Sequence, residues 1–108
     1  MGYNLSEMDS LKTDNQLFGI VTDAMQQMYA MKNHDYGNSF SELFKKFGLI
    51  SAVVRIGDKY NRLASLCQSG AQAEIKDETI EDTLLDMANY CIMTVIELEK
   101  KAKKERMN

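Results

Sequence analysis

No proline interrupts this 108-residue chain, and apolar residues recur along most of it three and four positions apart. Proline removes a backbone donor and kinks helices, so a chain without it can run long helices unbroken. It also has little of the turn chemistry that β-sandwiches need. The pattern predicts an all-α fold: a four-helix, antiparallel, bundle-like protomer. Apolar content of 44% and charged content of 27% are those of an ordinary globular domain. The length suits one core and no more.

Residues 1–13 are polar and unpatterned and read as a flexible N-terminal arm, with a single helical domain over 14–105 ending in a basic stretch. Asp14 is read as the cap of a first helix carrying Leu17, Ile20, Val21, Ala24, Met28 and Met31 on one stripe. Ser39 and Glu42 have capping-box spacing and are read as the start of a short second helix with Phe40, Leu43, Phe44 and Phe47 on one side. Gly48 breaks it, a third helix spans 49–68, a loop follows over 69–76, and Asp77 caps the last helix. Cys67 and Cys91 fall inside apolar patterns and are read as reduced core thiols. There is no signal-peptide pattern and no apolar run long enough to span a membrane, so a cytoplasmic place is expected, the host cytoplasm if the chain is phage-encoded.

The last helix is apolar almost all round. Nine of the thirteen residues 84–96 are aliphatic, Met or Cys, and Tyr90 adds a tenth apolar body. Such a helix is buried all round. A four-helix protomer of this size leaves one side of each helix wet, so a second copy is expected to cover part of it, and an obligate homo-oligomer follows.

Charge is unevenly spread. Residues 77–86 carry five acids and no base, residues 32–62 carry six bases against three acids, and residues 100–106 carry five bases. No long basic face with interleaved aromatics appears, which argues against nucleic acid as a partner. In the last helix Glu78, Asp82, Asp86 and Asn89 share one stripe. Asp86 and Asn89 lie in its most apolar part, where an unpaired carboxylate costs several kcal/mol and demands a cation, a metal or donors. Mg2+ is one candidate, since hard dications take carboxylates with waters and phosphates. On the third helix Arg55, Asp58, Lys59 and Arg62 form a stripe of the opposite sign. Its bases suit either phosphates or those same carboxylates. The run from Lys32 to Phe40 joins helices one and two and holds His34, Asp35, Tyr36 and Asn38 beside Gly37, either a binding loop or a plain turn. No phosphate loop, dinucleotide fingerprint, zinc spacing or nucleophile context is present.

Three segments carry a resemblance: Lys32-Asn33-His34-Asp35-Tyr36-Gly37-Asn38-Ser39-Phe40, then Arg55-Ile56-Gly57-Asp58-Lys59-Tyr60-Asn61-Arg62-Leu63, then Asp77-Glu78-Thr79-Ile80-Glu81-Asp82-Thr83-Leu84-Leu85-Asp86-Met87-Ala88-Asn89-Tyr90. Their order and spacing resemble the small phage and bacterial family called nucleotide modification associated domain, first type. More distantly, the last segment is similar to the acidic helix of the all-α, MazG-like nucleoside triphosphate pyrophosphohydrolases, which are helical and oligomeric. That second likeness implies Glu78, Asp82 and Asp86 as ligands of Mg2+ or as water-orienting groups. The Glu-x-x-Glu pair that those enzymes carry on an earlier helix has no counterpart here, where the three earlier helices offer Asp23, Glu42 and Asp58.

The expected function is binding of a nucleotide or nucleotide-derived phosphate ligand by Lys32, His34, Asp35, Tyr36, Asn38, Arg55, Lys59, Arg62 and Asn89. Hydrolysis of a nucleoside triphosphate would use Mg2+ on Glu78, Asp82 and Asp86. The alternatives are a non-catalytic protein that sequesters a nucleotide or cyclic-nucleotide immune signal, with no metal, and a helical oligomeric adaptor.

Overall fold

The computed structural model describes residues 12–34, 36–68 and 73–107, and within 73–78 the backbone alone. Four helices account for nearly all of it: α1 (Asp14–Lys32), α2 (Gly37–Phe47), α3 (Leu49–Gln68) and α4 (Ala73–Met107). The protein is an all-α four-helix bundle, as its apolar periodicity predicts. At 1.5 Å per residue the 35 residues of α4 run about 52 Å, which matches the 51 Å long axis of the molecule. Among the described residues no helix is long and apolar enough to cross a membrane.

The helix ends differ from the sequence expectations in instructive ways. Thr13, not Asp14, caps α1: its hydroxyl accepts from the Gln16 amide at 3.2 Å, and the Gln16 side chain accepts from the Thr13 amide at 2.8 Å. This is a complete capping box, so Thr13 belongs to the helix rather than to an arm. Residues 1–11 of the expected arm lie outside the described residues. The box expected at Ser39 does not form, because α2 starts two residues earlier at Gly37. The Tyr36 amide donates to the Lys32 carbonyl, Asn38 to Asn33 and Phe40 to Tyr36, so the chain coils almost continuously from α1 into α2. Asp77 does not cap α4, which has already begun at Ala73.

Gly48 separates α2 from α3 with φ of 74°, a left-handed conformation that favours glycine. Its amide closes α2 on the Phe44 carbonyl. Its carbonyl accepts from both the amide and the hydroxyl of Ser51 in the first turn of α3.

The core gathers Met28 from α1, Tyr36 from the turn, Phe40 and Phe44 from α2, Ala52 from α3 and Met93 from α4, with Tyr29, Ile56 and Tyr90 against it. Ala52 is 1% exposed. Its single methyl sets how closely α3 can approach its neighbours. Two expectations fail here. Cys67 and Cys91 are exposed free thiols rather than core residues, and Met31 points to solvent. One chain covers α4 only in part, as expected for this helix: Leu84, Ile92, Val95 and Leu98 are exposed.

Candidate functional site

A partly buried carboxylate, held from two sides, organises a polar cleft beside that core. Asp86 sits in α4 where α3 and the α1–α2 turn converge. The Tyr36 hydroxyl donates to Asp86 Oδ1 at 2.5 Å and lies 3.3 Å from the Asp86 carbonyl. The Lys59 ammonium, on α3, stands 2.8 Å from Asp86 Oδ2. Both carboxylate oxygens are therefore engaged, by groups from two other parts of the chain. This meets the requirement that a partly buried charge be paired.

Aromatic rings floor the arrangement. Tyr36 and Tyr90 meet edge to face at 5.1 Å, and Phe40 meets Tyr90 at 5.7 Å. Lys32 and Lys59 each stand 5.9 Å from the centre of a ring, Tyr36 and Tyr90 respectively, within cation–π range. Burial pushes the Tyr36 phenol well above its ordinary pKa. The hydrogen bond to Asp86 and that carboxylate's charge add to this, while the Asn89 amide acts the other way. Tyr90 is also raised, by burial first and the Asp86 charge second, against Arg55 and Lys59. Both phenols thus stay protonated, as donors, through the neutral range.

A cleft of about 310 Å³ opens next to the pair, lined by Lys32, Lys59, Arg62, Thr79, Asp82, Thr83 and Asp86. Three cations face two carboxylates in it. The structure thus brings together five of the residues expected from sequence: Lys32 from the end of α1, Lys59 and Arg62 from α3, and Asp82 and Asp86 from α4. Tyr36 joins them through Asp86. Arg55 is exposed one turn before Lys59, and its charge reaches Tyr90. His34 and Asn38 are exposed and do not line the cleft. Asn89 turns instead toward α1, 3% exposed, with its amide 3.4 Å from the Met25 carbonyl. Asp35 and the side chain of Glu78 lie outside the described residues. Among the described residues no three His, Cys, Asp or Glu side chains are grouped closely enough to hold a metal ion.

Thr79 and Thr83 were not anticipated. With Asp82 and Asp86 they complete the spacing i, i+3, i+4, i+7, one helical face. The Thr83 hydroxyl donates back to the Thr79 carbonyl at 2.7 Å. That spacing is their signal in the sequence, a weak one because neither hydroxyl carries charge. A larger cleft of about 460 Å³ lies between the end of α2 and α4, among Phe44, Lys45, Glu97, Lys100, Lys101 and Lys104. It contains none of the candidate site residues read from the sequence.

Fold and site together define a small helical protein with a mixed-charge, cation-rich cleft at the meeting of three helices. The chain belongs to the family described as nucleotide modification associated domain 1, whose model matches residues 32–98. That span runs from the first cleft residue, Lys32, to past the last, Asp86. No curated protein and no solved structure matches the chain.

Proposed function

We propose that this cleft binds the phosphate group of a nucleotide or nucleotide derivative. The observation that carries the reading is the convergence of Lys32, Lys59 and Arg62 on one cleft in which Asp86 already holds Lys59 in place. An ammonium tethered by a carboxylate is pre-positioned for an anion. Arg62 adds a planar fork that matches phosphate oxygens. The family description supports a nucleotide as the bearer of that phosphate. Asp35, Tyr36 and Asn38, which follow Lys32 within six residues of the sequence, are the groups proposed to meet base or sugar.

Binding without turnover accounts for these groups most simply, since it uses the cations alone and suits a sequestering protein. One observation favours a second reading, Mg2+-dependent hydrolysis. Asp82 and Asp86 line the cleft one turn apart, and they are hard oxygen donors of the kind that Mg2+ takes with waters and phosphates. Glu78 would be the third carboxylate. Bound Mg2+ would supply charge to the phosphates and an activated water. Against that, both oxygens of Asp86 are engaged by Tyr36 and Lys59.

The test is a thermal-shift and turnover screen of nucleotides, dinucleotides and cyclic nucleotides, each with Mg2+ and with EDTA. A ligand at 100 times its Kd adds about 2.7 kcal/mol of stability. Stabilisation that persists in EDTA, with the ligand recovered intact, is the expected result. Stabilisation only with Mg2+, with ligand consumed, favours hydrolysis instead. Arg62→Gln removes one charge-assisted contact without touching the Asp86 pair and should weaken binding roughly 10- to 100-fold. If no nucleotide stabilises the protein, or Arg62→Gln binds as the parent does, the reading fails.

A further inference from the structure

The side of α4 that faces away from the core carries a second, unused pattern. Leu84, Ala88, Cys91, Val95, Leu98 and Ala102 follow one another by four, three, four, three and four residues. That is the average 3.5-residue period of a seam between two helices. The buried residues Asn89, Met93 and Glu97 lie on the other side of the helix. The seam itself is open: Val95 is 58% exposed and Cys91 is exposed.

We propose that two copies of this chain associate through this face, α4 against α4 in antiparallel orientation. Two features of the sequence select a second α4, and select that orientation. The first is size. About a midpoint at residue 93, antiparallel alignment sets Leu84 opposite Ala102, Ala88 opposite Leu98, and Cys91 opposite Val95. Every large side chain then meets a smaller one, as interdigitated layers require. Parallel alignment would set Leu on Leu and Ala on Ala. The second is charge. α4 ends with the bases of residues 100–106, and antiparallel copies set that basic end against residues 80–86 of the other helix, where Glu81 is exposed and Asp82 and Asp86 face the cleft. Parallel copies would place five bases beside five bases. The proposal is independent of the nucleotide reading and stands or falls without any ligand.

The full chain should sediment at about twice its 12.3 kDa. Val95→Glu, which places a charge on a side chain already exposed in the fold, should sediment as one chain with its helical circular dichroism retained. Orientation is read by thiol oxidation in a Cys67→Ser background. Antiparallel copies hold the two Cys91 α-carbons about 10 Å apart, beyond disulfide reach, so this protein should not cross-link. Adding Val95→Cys should give a covalent dimer whose peptide map shows residue 91 bonded to residue 95 of the other copy. A single-chain mass for the parent, an unchanged mass for Val95→Glu, or a Cys91–Cys91 bond in the Cys67→Ser protein would each overturn the proposal.

Discussion

Tyr36 belongs to two environments at once. Its ring is part of the core, 9% exposed, while its hydroxyl donates to Asp86 in the cleft wall. Tyr36→Phe keeps the ring and removes only the donor, leaving Asp86 with Lys59 alone. A hydrogen bond to a charged acceptor is worth about 1.5–3 kcal/mol, and denaturant unfolding of the variant should show a loss of that order. The phenol also gives the loss a pH signature. In the folded protein Tyr36 keeps its proton above the ordinary value of 10.0. Its contribution is therefore complete below about pH 10, and above that the unfolded chain loses its proton first and stability falls. Tyr36→Phe should flatten this alkaline decline without abolishing it, because Tyr90 is raised too. An unchanged slope between pH 9 and 11 would show that the phenol is not held as described. At this scale the sequence was partly legible. A carboxylate in an apolar stretch demands a partner, and Lys59 was among the few candidates. Tyr36 as the second partner was not visible, because it comes from a turn fifty residues away in the chain.

At the scale of elements, the helices were legible and their starts were not. Apolar spacing located the helices although the fold buries only part of each stripe: α3 buries Ala52 and leaves Ile50, Val53, Val54 and Tyr60 exposed. Starts depend on local bonds that several polar residues can offer equally. Thr13 and Gln16 had capping-box spacing as good as that of Ser39 and Glu42, yet only the first pair forms. The second pair is pre-empted by Gly37, which comes so close to Asn33 and Tyr29 that no side chain would fit there without displacing them. That close passage lets the chain begin α2 early and puts Tyr36 under Asp86. The Thr13 cap is testable by itself. Thr13→Ala removes the acceptor for the Gln16 amide and should cost about 1 kcal/mol, read as a lower melting temperature. An unchanged melting temperature would mean that the first turn of α1 frays in the parent protein already.

On the scale of the whole molecule, the bundle is unequally tight. α3 and α4 share the most extensive contact, while α1 is the element held most lightly. It is anchored mainly by Met25 and Met28. Yet α1 delivers Lys32 to the cleft from its last turn. A ligand there would bridge the lightest element to the tightest pair. Local opening follows contact density, so α1 amides should exchange with solvent faster than those of α4 around Met93. If the cleft takes a nucleotide phosphate, saturating ligand should slow exchange in the last turn of α1 and in residues 79–86, since binding to the closed form opposes opening. Protection of residues 100–104 instead would move the site to the lysine-lined cleft at the far end of α4. Equal protection of α1 and α4 in the free protein would mean that α1 is not the loose element that its contacts indicate.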